Sequence, residues 1–133
     1  NRKAKSRGAW RRSQNLLTSF RYAAQGIVYS FVSQTNFRIH LFVGALVFAF
    51  GIFLQLSFNQ LAVLVLTVTA VLVLELLNTA IESVVDLAIG HRFHPLARIA
   101  KDSSAAAVLV ASISSLIIAL LLLLPPLLLQ LGI

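Results

Sequence analysis

From about Ser13 to Phe31, the apolar residues Leu16, Phe20, Ala23, Ile27 and Phe31 recur at steps of four and three, with Leu17, Ala24 and Val28 beside them. Thr18, Arg21, Tyr22, Gln25 and Tyr29 fall on the opposite side. A helical period with one apolar stripe predicts an amphipathic helix over residues 13–31, lying in a membrane surface. The pattern then turns from one-sided to continuous. Three apolar stretches, 36–56, 59–87 and 100–124, are each long enough, at about 1.5 Å per residue, to cross a hydrocarbon core of about 30 Å. QLSFNQ (55–60) reads as a tight uncharged turn between the first two, and GHRFHPLARIAKD (90–102) as a longer basic connection. Pro125 and Pro126 are expected to end the third span, since proline lacks the helical N–H and its ring crowds the preceding turn, leaving LLLQLGI to trail from it. Residues 1–12 form a basic tail in which Trp10 marks the interface.

Composition agrees with this picture. The chain has 133 residues, 59% of them hydrophobic, and a mean hydropathy of +0.91, which predicts one all-α membrane domain over 1–133. The absence of cysteine excludes disulfides and thiolate metal sites. A net charge of +7 raises the question of nucleic acid, but the basic residues flank the spans instead of interleaving with stacking aromatics, so anionic lipid is the expected counter-charge and no nucleic-acid partner is expected. A basic stretch followed by an amphipathic segment is also not the pattern of a signal peptide. Every Lys and Arg lies either before or just inside the first span, where Arg38 is the last, or in the second connection, at Arg92, Arg98 and Lys101. The positive-inside rule therefore predicts a cytoplasmic N-terminus and second connection, with QLSFNQ outside.

The chemistry is concentrated in one place. The chain has four acidic residues: Glu75, Glu82, Asp86 and Asp102. With Asn78, the first three are spaced to share one stripe of the second span. A charged side chain at the bilayer centre costs roughly 2.5 to 3.5 kcal/mol on insertion scales, so such a stripe marks function and faces away from lipid. Glu75, the deepest, suits a general base acting on a hydroxyl. Glu82 suits Mg²⁺, which prefers carboxylate, phosphate and water oxygen. Lys101 and Asp102 follow the basic connection and can hold a polyphosphate and a second metal contact. These are parts for phosphoryl transfer, and a P-loop is excluded because Gly90 stands without the glycines such a loop needs.

ELLNTAIESVVD (75–86) followed by AKDSSAAAVLV (100–110), with NFRIH (36–40) and SFRYAAQGIVYSF (19–31) upstream, resembles the signature of the small integral-membrane prokaryotic diacylglycerol kinases and their undecaprenol kinase relatives. The resemblance runs from about Ser19 to Leu120. It implies a homotrimer of three-span subunits, each with a surface helix, in a prokaryotic plasma membrane, using ATP and Mg²⁺ to phosphorylate a lipid alcohol at the cytoplasmic interface. By position it makes Glu75 the general base, Glu82 a metal ligand and Asn78 a supporting polar group. Tyr22, His94, Lys101 and Asp102 fall at or near nucleotide contacts, and Arg38 near lipid substrate and phosphates. Two positions depart. The second metal-binding Glu of the family is Gln34 here, and Ala105 stands where some relatives have Ser.

Taken alone, these residues have plainer readings. Asn78 can be interhelical glue, Asp86 a pairing group at the membrane edge, Arg38 a snorkelling cation, His40 a packing or headgroup residue, and Ser103 to Ala107 a close-packing surface. A non-catalytic lipid-binding relative weakened at Gln34, and a small cation conductor lined by the acidic stripe, are the alternatives to a kinase.

Overall fold

The computed structural model describes residues 16–133, so the basic tail, Trp10 and the expected helix start at Ser13 lie outside the described residues. Four helices follow in order: α1 (Leu16–Ser33), α2 (Thr35–Phe53), α3 (Phe58–Ile89) and α4 (Pro95–Gln130). The last three are long and apolar enough to cross a membrane. Their lipid-type surface is largely open, with Leu66 70% and Leu121 69% exposed. Packing is confined to a thin seam in which Phe37, Leu64, Val71 and Val108 are buried.

The α1–α2 break is a single residue. Gln34 adopts an extended conformation (φ −113°, ψ 107°) and offers α2 no side-chain cap. Arg38 reaches back instead, donating from Nη1 to the carbonyls of Phe31 (2.8 Å) and Val32 (2.9 Å) and from Nη2 to Thr35 Oγ1 (3.1 Å). A cation on the final carbonyls of a helix meets the negative end of its dipole, so Arg38 clasps the two helices together.

The QLSFNQ turn is built from two capping motifs. Leu56 N–H donates to Gly51 O and Gln55 N–H to Ile52 O, the paired bonds of a Schellman end. Gln55 takes the left-handed position (φ 60°) where glycine is usual, at a cost of roughly 1 kcal/mol. Ser57 and Gln60 then form a reciprocal capping box that starts α3.

α4 exceeds its expected limits at both ends, for separate reasons. α4 begins at Pro95 because proline suits a first helical position and His94 Nδ1 caps the turn, accepting from Leu96 N–H at 3.1 Å. It also runs through Pro125 and Pro126 to Gln130, correcting the expected stop at Leu124. Each proline removes one backbone bond, but apolar side chains on both sides give the chain no better conformation in lipid than helix. The helix stops in the same Schellman pattern, here with Gly132 at φ 74°.

α2 and α3 pack tightly at Gly44, where a Cβ would lie 2.5 Å from Val68 Cγ1. Valine has one strongly preferred rotamer in a helix and cannot swing aside. Gly44→Ala is therefore expected to lower stability by about 1–3 kcal/mol, the usual cost of overpacking. Gly26→Ala, where a Cβ meets nothing within 4 Å, is the control, expected to raise stability by about 0.5–1 kcal/mol because alanine is the better helix former. Thermal unfolding of both in detergent checks the pair.

Candidate active site

α3 carries the acidic stripe away from its capped start. At about 1.5 Å per residue from Phe58, Glu75 stands about 26 Å along the helix, Glu82 about 36 Å and Asp86 about 42 Å. For a hydrocarbon core of about 30 Å entered at Phe58, Glu75 lies in its last turn and the other two lie beyond it. Burial follows that order: Glu75 is 4% exposed, whereas the Asp86 side chain is 60% exposed.

Polar side chains tie α3 to α4. Ser104 Oγ donates to Asn78 Oδ1 at 2.7 Å, and Asn78 Nδ2 donates to Glu82 Oε1 at 3.1 Å. The Asn78 amide thus uses its acceptor on one helix and its donor on the other side, which fixes one oxygen of Glu82. Farther along, Ser115 Oγ donates to Thr67 O at 3.3 Å. These contacts recur after three helical turns on both helices, as an antiparallel pair in fixed register requires. Each such bond contributes on the order of 0.6 kcal/mol in a membrane protein.

Glu75 is held differently. Its Oε1 is buried and has no hydrogen-bond partner, while His40 Nε2 on α2 stands 3.3 Å from it, in ion-pair range. The Thr79 hydroxyl bonds to the Glu75 backbone carbonyl at 3.1 Å and leaves the carboxylate alone.

At the end of α3, Lys101 Nζ donates to Asp86 Oδ1 at 2.7 Å, and Arg98 Nε lies 3.5 Å from Asp102 Oδ2. Asp86, Arg92, His94, Arg98, Lys101 and Asp102 line a concavity of about 380 Å³ at this end of the molecule. His94 spends Nδ1 on the helix cap, so only its Nε2 is left for another partner.

The expected site residues therefore fall into three groups. Glu75, Asn78 and Glu82 lie along α3, with Glu75 meeting α2 at His40 and Asn78 meeting α4 at Ser104; His94, Lys101 and Asp102 border the basic concavity; Tyr22, Gln34 and Arg38 sit on α1 and at its junction with α2. No hydrogen bond or ion pair joins Tyr22 or Gln34 to Glu82 or Lys101 within the described residues. Nor do three His, Asp or Glu side chains cluster there closely enough to hold an ion. A single carboxylate with a hydrogen-bonded oxygen fits Mg²⁺ that arrives with phosphates, since Mg²⁺ keeps several waters and takes only one or two protein carboxylates. Sequence reasoning gave His40 a packing or headgroup role and Ser104 a close-packing one, and paired neither with the acidic stripe. A lone intramembrane acid calls for a partner at its own depth, and that signal could have pointed to His40.

Residues 21–123 match the family described as prokaryotic diacylglycerol kinase. The chain belongs to that family. Among curated relatives, a diacylglycerol kinase of Synechocystis sp. is 52% identical over 99 residues, covering 74% of this chain and 57% of the relative. An undecaprenol kinase of Bacillus subtilis is 41% identical over 87 residues (65% of this chain, 70% of the relative). A diacylglycerol kinase of Haemophilus influenzae is 35% identical over 91 residues (68% and 76%). The chain thus matches little more than half the length of the Synechocystis protein, and the family includes members named for two different lipid alcohols. The matched segment contains Tyr22, Gln34, Arg38, all four acids and Lys101.

Proposed function

We propose that the chain is a lipid kinase that transfers the γ-phosphate of ATP to the hydroxyl of a membrane lipid alcohol at the cytoplasmic face of a prokaryotic plasma membrane. The observation that carries this is Glu75: a buried carboxylate at the end of a membrane-length helix, one turn before an Asn78–Glu82 pair, in a chain of this family. Its depth matches that of a lipid hydroxyl at the interface.

In this reading Glu75 accepts the hydroxyl proton as the lipid oxygen attacks the γ-phosphorus. The new O–P bond forms as the bond to the β-phosphate oxygen breaks, and ADP leaves with the electron pair. Glu82, oriented by Asn78 and Ser104, would hold Mg²⁺, which would supply neutralisation of phosphate charge. Lys101, Asp102 and His94 border the nucleotide end, with Lys101 turning from Asp86 toward phosphate; Tyr22 adds an aromatic contact from α1, and Arg38 anchors the lipid-side junction. α1 lies in the membrane surface against anionic lipid, and three subunits assemble.

Purified protein given radiolabelled ATP with diacylglycerol, undecaprenol or ceramide is expected to label at least one of them in a Mg²⁺-dependent manner. Label in none, from a folded oligomer at high Mg²⁺, would overturn the kinase reading and favour the non-catalytic lipid-binding alternative that the neutral Gln34 suggests. Orientation has its own check. A cysteine at Ser57 is expected to react with an impermeant maleimide from outside the cell and one at His91 only from inside; the reverse would refute the orientation.

A further inference from the structure

The contact between α2 and α3 at Glu75 carries a role that the phosphoryl-transfer scheme leaves unassigned. Glu75 must present one carboxylate oxygen to the substrate hydroxyl, and a carboxylate free to spin about its last torsion presents neither oxygen consistently. Thr79 bonds to the main-chain carbonyl of Glu75, and Glu82, two turns on, is occupied by Asn78. Lys101 is on Asp86, and Arg38 is on the carbonyls that end α1. Among the described residues, His40 is the one basic group that reaches the Glu75 carboxylate, with its Nε2 at 3.3 Å from Oε1.

We infer that His40 is the positioning residue for Glu75: its Nε2–H donates to Oε1 and thereby aims Oε2 at the lipid hydroxyl. The inference rests on the kinase reading and deepens it. His40 is suited to the task because its ring bridges two environments. Glu75 is 5% exposed at the side chain and His40 30%, so the imidazole has one edge on the buried acid and another on the groove of about 270 Å³ that it lines with Val43, Thr67, Ser112 and Ser115. The ring nitrogen is within reach of Oε1, but no hydrogen bond is made between them. Catalytic hydrogen bonds of this kind tighten when substrate binds. Both the Nε2–H neutral tautomer and the imidazolium supply the donor.

The test compares variants that keep or remove that donor. His40→Ala is expected to lower kcat by about 10- to 100-fold, the usual range for losing an orienting partner, with KM for ATP and for lipid little changed. His40→Gln, whose amide N–H reaches the same oxygen, is expected to recover most of kcat. In Glu75→Gln the His40→Ala change is expected to add nothing, because both act through one group. A second readout is independent of turnover. Labelling of Glu75 by dicyclohexylcarbodiimide, followed by mass spectrometry, is expected to accelerate in His40→Ala and stay slow in His40→Gln. Should His40→Ala fail to fold, His40→Asn, whose shorter amide stops short of Oε1, takes its place. Equal kcat in all variants, equal loss in His40→Ala and His40→Gln, or a loss confined to KM would overturn the assignment. If the parent chain phosphorylates no lipid, the kinase reading fails first. The labelling comparison still decides whether His40 holds Glu75, and identical rates in all variants would reject it.

Discussion

Glu75→Gln is expected to lower kcat by at least about 100-fold, the smaller end of what a general base supplies. Glutamine has nearly the shape of glutamate, so packing in the α2–α3 seam is conserved while the capacity to accept a proton is lost. Its amide also carries no charge to be neutralised at this depth, so the variant is expected to fold at least as stably as the parent. Nucleotide binding should be nearly unchanged, because Lys101, Asp102 and the basic concavity lie more than a helical turn away, at the end of α3 and the start of α4. The measurement is kcat and KM for ATP in mixed micelles, with equilibrium nucleotide binding alongside. Turnover near the parent level would remove Glu75 from the base role. A rise in KM at constant kcat would instead give it a binding role.

The second large effect concerns metal. Glu82→Gln is expected to raise the Mg²⁺ concentration for half-maximal activity by about tenfold or more, and Gln34→Glu to lower it by about tenfold, because Mg²⁺ prefers a carboxylate oxygen to an amide oxygen. Gln34 and Glu82 lie on separate elements with no bond between them in one chain. If they share an ion, they do so across neighbouring subunits or in a closed, substrate-bound state, and the double variant Gln34→Glu with Glu82→Gln will then depart from the sum of the single free-energy changes. Simple additivity would take Gln34 out of the metal site. A titration of activity against Mg²⁺ in all four proteins is sufficient.

How far the sequence told this in advance depends on whether a feature is local. The three long helices were legible because a long apolar stretch in lipid has only helix to satisfy its backbone. Glu75 was legible because a carboxylate inside such a stretch is expensive enough to demand a reason. Where helices end was less so. The α1–α2 break at Gln34 involves no glycine or proline and is closed by Arg38 from the next turn, a tertiary bond that periodicity does not register. Pro125 and Pro126 gave the opposite error, since a strong local breaker signal was overridden by the apolar surroundings. Partnerships were the least visible. Ser104 looked like one small residue among several, and its bond to Asn78 depends on the register of two helices meeting far from it in sequence. His40 looked like an interfacial residue for the same reason, because its partner lies on another helix.

The unequal helix lengths carry a consequence for where such a protein can work. α2 has 19 residues, α3 has 32 and α4 has 36, so α2 just matches a typical hydrocarbon thickness while its neighbours extend well past it. With the uncharged turn after α2 anchored at one face, the distance from that face to Glu75 is a fixed ruler of about 26 Å. Bilayers differ by several Å between membranes and with lipid composition, and mismatch is met by tilt, local thinning or thickening at a cost of fractions of a kcal/mol per Å. In a thin bilayer the carboxylate emerges toward the headgroups; in a thick one it sinks among acyl chains, away from nucleotide. Turnover should therefore peak in bilayers whose thickness matches the ruler and fall as acyl chains are lengthened or shortened, making hydrophobic thickness itself a control on the reaction.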